Sequence, residues 1–251
     1  MRLLRNEFRS QLRLYMRSRE LAFFTFALPI VMFFLLGSVY GDDKIKAEGH
    51  IRAADYLLAG MLGYGAIATG FAGLSIMMVI RRESGILKRV RATPLPPWAY
   101  IVALLCTTLV AFGLEAVCMV AIGRFHFHTH THNLFSLALA LLLSATAFTA
   151  LGLALTVLIK SAEGSSAVVN AIYLPLSFLS GAFFSPHSFP AALKAIANVF
   201  PLVYVIRLVR DIAIHNQQIW DRPGDVAVIA VWGLAGAIFA ARRFRWEPQE
   251  G

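Results

Sequence analysis

The sequence predicts an all-α integral membrane protein with six transmembrane helices, and three observations carry that expectation. Hydrophobic residues make up 58% of the chain, against about 45–50% in soluble domains. Several apolar runs reach the roughly 20 residues that a helix needs to cross about 30 Å of hydrocarbon. None of them alternates every second residue, as the strands of a membrane barrel would.

The elements follow in order. Residues 1–20 carry Arg2, Arg5, Arg9, Arg13 and Arg17 at spacings of three and four. On a helix these form one charged stripe, with Leu4, Phe8, Leu12, Tyr15 and Met16 beside it. The pattern describes a helix lying in the membrane interface, arginines toward lipid phosphates. A solvated basic tail is the alternative, and the regular apolar face argues against it. The basic start and the length of the next apolar run do not fit a cleavable signal peptide. The first span is 21–40, with Pro29 inside it as a possible bend, and the polar stretch 41–53 is a loop on the far side. The second span, 54–80, contains Gly60, Gly63, Gly65, Gly70 and Gly73. Such small residues permit close helix packing, or a helix that moves or lines a path.

Residues 81–97 read RRESGILKRVRATPLPP. Glu83 and Ser84 open a short helical segment, Ile86, Leu87 and Val90 fall at helical spacing, and Pro94, Pro96 and Pro97 end it. Acidic residues at its start and Lys88, Arg89 and Arg91 toward its end complement a helix dipole. Its three apolar side chains form a patch that calls for a partner outside the bilayer. The third span, 98–123, holds Glu115, toward its outer end. An ionisable group at membrane depth marks a function, or else a structural carboxyl paired between helices. Cys106 and Cys118 read as small buried thiols, about 18 Å apart along one helix and too far for a mutual disulfide. His126, His128, His130 and His132 alternate in a short loop without nearby Cys, Asp or Glu. A polar turn is therefore expected there and no metal site.

The fourth span, 134–159, closes in a tight turn at Lys160–Gly164. The fifth, 165–184, carries Asn170, Tyr173, Pro175, Ser177 and Ser180. Residues 186–214 then break the pattern into two pieces, each too short or too polar to cross, so the pair is re-entrant or interfacial. The sixth span, 226–241, ends in Arg242, Arg243 and Arg245.

Net charge is +9. With both termini on one side, that side holds six arginines of the N-terminal segment, five basic residues of 81–97, Lys160 and three C-terminal arginines. These are fifteen of the 23 Lys and Arg. The positive-inside rule places both termini in the cytoplasm. The basic surplus then faces membrane lipid, with no nucleic-acid partner implied. No G-x-x-x-x-G-K-S/T phosphate loop, H-E-x-x-H or nucleophile elbow occurs. The chain by itself is therefore not expected to be an enzyme or to bind a cofactor, and uphill transport would draw on an ion gradient or another subunit.

The run Glu83-Ser84-Gly85-Ile86-Leu87-Lys88-Arg89-Val90-Arg91-Ala92-Thr93-Pro94-Leu95 resembles the signature E-x-G-x-L-K-x-x-R-x-S/T-P-L/V of ABC-type exporter permeases of the type-2 class. Daunorubicin-resistance-like, multidrug, and lipid or polysaccharide exporters belong to that class. The stretch Pro175–Arg210 is similar to the family's fifth span with its extracellular re-entrant hairpin, including F-x-S-G at Phe178–Gly181 and the Pro201/Tyr204 pair. The resemblance covers nearly the whole chain.

The resemblance implies a half-transporter in a bacterial inner membrane. Two permeases, identical or related, would pair around a path, above two separate ATP-binding subunits that hold ATP and Mg. Residues 83–94 would be the cytoplasmic coupling helix seated in the ATPase, with Glu83, Ser84, Gly85, Ile86, Leu87, Lys88, Arg89, Val90, Arg91 and Pro94 in that role. Arg5, Phe8, Arg9, Leu12 and Arg13 of the interfacial helix would lie alongside. The path would run by the first, second and fifth spans, where Tyr64, Asn170, Tyr173, Ser177, Phe178 and Phe183 either meet an amphiphilic cargo or simply pack. The sequence exposes no large charged cavity, which favours a hydrophobic drug-like or lipid-like cargo. An ion-gradient-coupled transporter or channel without an ATPase is the alternative reading.

Overall fold

The computed structural model describes residues 2–17, 23, 27–45, 49–185, 189–244 and 246–247. Among the described residues the regular structure is helical, apart from one two-stranded hairpin. The helices are α1 (Arg2–Arg17), α2 (Leu28–Tyr40), α3 (Ala53–Ile67), α4 (Leu74–Glu83), α5 (Ile86–Arg91) and α6 (Pro97–His126). They continue with α7 (Leu134–Thr156), α8 (Ala162–Leu179), α9 (Ala191–Ala197), α10 (Pro201–Ala213) and α11 (Pro223–Arg243).

Among the described residues four helices are long and apolar enough to cross a membrane: the continuous Ala53–Glu83 rod, α6, α7 and α11. The shortest has 21 residues, about 32 Å of rise. Helices α9 and α10 turn through 90° across a short break and qualify only as one bent unit. Pro201 begins α10 at a position where its missing N–H costs nothing. In α2, Pro29 likewise sits in the first turn of the described helix. Of the expected first span, residues 21–22 and 24–26 lie outside the described residues. So do 186–188 of the expected hairpin and Arg245.

The Ala53–Glu83 rod is the centre of the bundle. In its most apolar stretch 83% of the residues are buried, against 22% in α11. Glycine makes this possible. A Cβ at Gly60 would lie 2.1 Å from the Ala182 carbonyl oxygen, and one at Gly65 would lie 2.3 Å from a Glu115 carboxyl oxygen. Midway along the rod, Ala68–Gly73 winds as a π-helix, a wider, under-wound turn often found at functional positions.

Contacts at the helix ends define two faces. One gathers α1, the end of α4, α5, the start of α6, the end of α7 and the segment after α11; Trp246 packs edge-on to Tyr100 there, ring centroids 5.7 Å apart. The opposite face gathers the hairpin (Lys44–Ile45 with Ile51–Arg52), loop 127–133 and the ends of α8 and α10. There Arg52 donates to the Phe127 carbonyl at 3.1 Å, His132 N–H to the Ala213 carbonyl at 3.1 Å, and Tyr56 Oη to the Gly181 carbonyl at 3.1 Å. The stretch expected as a plain polar loop thus includes a short antiparallel hairpin, Lys44 opposite Arg52.

Candidate functional site

The expected coupling segment begins three residues later than its sequence suggests. Glu83 closes α4 and Ser84 caps it. Gly85 then takes φ 72°, a left-handed turn that glycine adopts at little cost, and α5 starts at Ile86. Glu83 is therefore not the acidic start of the short helix; its carboxylate accepts from Arg82 Nε at 2.7 Å. The apolar patch is also smaller than expected. Leu87 is completely buried within its own chain, in a cluster with Met78, Tyr100, Leu104 and Leu153. Val90 is half-buried beside that cluster. The outward surface of α5 is left to Ile86, 42% exposed, and to Lys88, Arg89 and Arg91, with Pro94 exposed beyond them.

Two arginines fasten this segment to the bundle. Arg82 is 1% exposed. It donates to the Thr156 carbonyl at 2.8 Å, at the C-terminus of α7 where carbonyls lack intrahelical partners, and to the Ile159 carbonyl just beyond that helix. Arg81 donates to the Gln11 side chain of α1 and to Tyr100 Oη at 3.1 Å. Gln11 is buried, while Leu4, Phe8, Leu12 and Tyr15 are half-buried and Arg5, Arg9, Arg13 and Arg17 are exposed. The charged stripe is as the spacing predicts. Helix α1 packs on α6, and Gln11, on its buried side, is the hook.

The residues expected along the path divide. Tyr64 stacks on Tyr173 with centroids 5.6 Å apart, Phe183 meets Tyr64 edge-on at 5.3 Å, and Phe178 stacks on Phe183 at 5.2 Å. Tyr64, Ser177, Phe178 and Phe183 line a groove of about 610 Å³ between α2, α3 and α8, apolar over nearly all of its wall. Asn170 stands apart, its amide donating to Ser166 one turn away on α8.

Glu115 is fully buried inside the bundle. Helix α6 runs on to His126, which puts about 16 Å of helix beyond Glu115. Thr69 Oγ1, in the π-helical turn, donates to Glu115 Oε2 at 2.9 Å, and Oε1 has no hydrogen-bond partner among the described residues.

The family model of the ABC-2 type transporter matches residues 3–214. The chain belongs to that family. It is a multi-pass membrane protein and the membrane subunit of an ABC-type transporter. No curated protein matches the chain.

In this ABC-2 permease the histidine loop is tied down by its backbone. His130 N–H donates to Asp55 at 3.2 Å, and the His126 ring stacks on Phe34 at 5.0 Å. Among the described residues no three His, Cys, Asp or Glu side chains converge as metal ligands. The thiols expected inside are at the periphery: Cys106 is exposed and Cys118 half-buried. The absence of a charged cavity needs the larger correction. A cavity of about 370 Å³ lies between the end of α8 and the bent pair, and its lining includes Lys194, Arg207, Arg210, Asp211 and His215.

The burial of Arg81 and Arg82 had a usable signal. Ser75, Met78 and Arg82 share one helix face, as do Leu74, Met78 and Arg81. Ser75, Leu74 and Met78 are buried, so the arginines continue buried faces rather than an interfacial one. The π-helical turn has no comparable mark in the sequence.

Proposed function

We infer that the chain is the membrane half of an ATP-driven exporter that moves a hydrophobic or amphiphilic substrate out of the cytoplasm. It uses six spans, with both termini cytoplasmic in a bacterial inner membrane. Separate ATP-binding subunits, carrying ATP and Mg, dock on the face that bears α5 and α1, and a second permease copy or a related permease completes the path. The 83–94 segment is the coupling helix.

One observation carries the reading: α5 is welded to four helices on its inner side and bare on its outer side. Leu87 packs α5 against α4, α6 and α7, and Arg81 and Arg82 at the adjoining end of α4 tie the segment to α1 and the end of α7. Ile86, Lys88 and Arg89 stay exposed toward another protein surface, and Arg91 stays exposed beside them in a long pair with Glu247. A push on that surface moves helices as rigid bodies, because packed interfaces shift between discrete arrangements rather than deform. The groove lined by Tyr64, Ser177, Phe178 and Phe183 is the part of the path that cargo touches, and its apolar wall suits hydrocarbon.

The test substitutes outward residues only. Ile86→Asp combined with Arg89→Glu is expected to abolish co-purification of the ATP-binding subunit and its coupled ATPase activity, at an unchanged melting temperature. Full coupling in that double variant would remove the assignment.

A further inference from the structure

We propose that the cavity beside the re-entrant pair is a binding site for the phosphate headgroup of an amphiphile whose hydrocarbon lies in the neighbouring apolar groove. This rests on the exporter reading and narrows its substrate class to anionic amphiphiles.

Arg210 is the centre of the site. Its guanidinium lies 3.8 Å over the Tyr56 ring, and Nη2 donates to the Gly181 carbonyl at 3.0 Å. Its Nε is buried with no hydrogen-bond partner among the described residues. Among the described residues its partners are an aromatic ring and a carbonyl, and no carboxylate pairs with it. The carboxylates nearby are ion-paired with other arginines, Asp211 with Arg222 at 2.9 Å and Asp225 with Arg207 at 3.5 Å, and one oxygen of each accepts no hydrogen bond among the described residues. That second pair is long and Arg207 is 44% exposed, which leaves its guanidinium able to turn toward a ligand. With Lys194 also in the lining, three cationic side chains face one carboxylate, that of Asp211. Guanidinium groups bind phosphate oxygens through paired, charge-assisted hydrogen bonds.

Adjacency decides between a free anion and an amphiphile. Tyr56 forms the wall between the two spaces: one face carries Arg210, and the residue also lines the apolar groove. The Gly181 carbonyl accepts from both Tyr56 and Arg210. On either side of that glycine the chain switches allegiance, with Leu179 and Ser180 lining the cationic cavity and Phe183 and Phe184 the groove. A molecule with an anionic head and an apolar tail bridges the two spaces across one aromatic ring.

The experiment measures binding of radiolabelled dodecyl phosphate to the purified full-length chain in neutral lipid nanodiscs, with no ATP-binding subunit present. Failure here therefore leaves the docking test untouched, and failure of docking leaves this test readable. Dodecyl phosphate is expected to bind at least about tenfold tighter than labelled dodecanol, and inorganic phosphate is expected to compete only weakly. Arg210→Gln is expected to erase the preference for phosphate, while Phe178→Ser weakens both dodecyl probes. Headgroup discrimination by the wild-type chain is read without any substitution, so a poorly folding Arg210→Gln does not block the test. Equal binding of dodecanol and dodecyl phosphate overturns the proposal, as does inorganic phosphate binding as tightly as its dodecyl ester. Phosphate preference retained in a folded Arg210→Gln also overturns it.

Discussion

The two faces of this permease each carry a pair of arginines at the end of a helix, and the pairs are used in opposite ways. Arg81 and Arg82 are buried, and their donors are taken up by side chains and carbonyls of α1, α6 and α7. Arg207 and Arg210, three residues apart on α10, border a cavity and rest on aromatic faces, Tyr204 at 5.3 Å and Tyr56 at 3.8 Å. Cation–π contacts hold a guanidinium in place without neutralising it, whereas helix-terminal carbonyls use up its donors. The first pair suits a joint that transmits force; the second suits a site that receives a ligand.

Substitutions break this contrast in a definite order. Arg82→Ala is expected to do most damage, because it leaves the Thr156 and Ile159 carbonyls buried without donors and opens a void. About 3–5 kcal/mol is expected from losing one side of a buried charged network, seen as a large fall in melting temperature in detergent. Leu87→Ala follows at about 2–4 kcal/mol by loss of packing; Ile86→Ala, one residue away and outward, is expected to leave the melting temperature nearly unchanged. That pair of measurements sharpens the distinction between the inner and outer sides of α5. Gly65→Ala forces a methyl onto the Glu115 carboxyl and is expected to cost about 1–3 kcal/mol, with Thr69→Val partly masking the effect because both act on one contact. Smallest is Arg91→Ala. Its pair with Glu247 is 3.6 Å long and both side chains are more than half exposed, so the change in stability is expected to stay under about 0.5 kcal/mol.

Much of this architecture was legible in the residues. The spans at 54–80, 98–123 and 134–159 announce themselves because the bilayer demands long apolar runs. The arginine stripe of α1 follows from helical periodicity alone. What escaped was direction and pairing. Periodicity marks Ile86, Leu87 and Val90 as one apolar group, but only the packed neighbours Met78, Tyr100 and Leu153 decide that Leu87 points inward. A reading by charge alone counts Arg81 and Arg82 as cytoplasmic cations, since their acceptors are helix-end carbonyls and a glutamine far away in sequence. The cationic cavity was hidden for a similar reason: Arg207, Arg210 and Lys194 sit on separate turns and helices, brought together by a 90° bend whose angle no spacing encodes. Glu115 was flagged by its cost at membrane depth, yet its contact with Thr69 depends on the π-helical turn.

The most direct measurement is transport itself, in vesicles reconstituted with the permease alone or with its ATP-binding subunit. Efflux of an amphiphilic dye is followed with and without ATP. The account requires ATP-dependent efflux only when both subunits are present, and its loss in the Ile86→Asp, Arg89→Glu double variant. Sustained efflux by the permease alone, driven by an ion gradient, would contradict it.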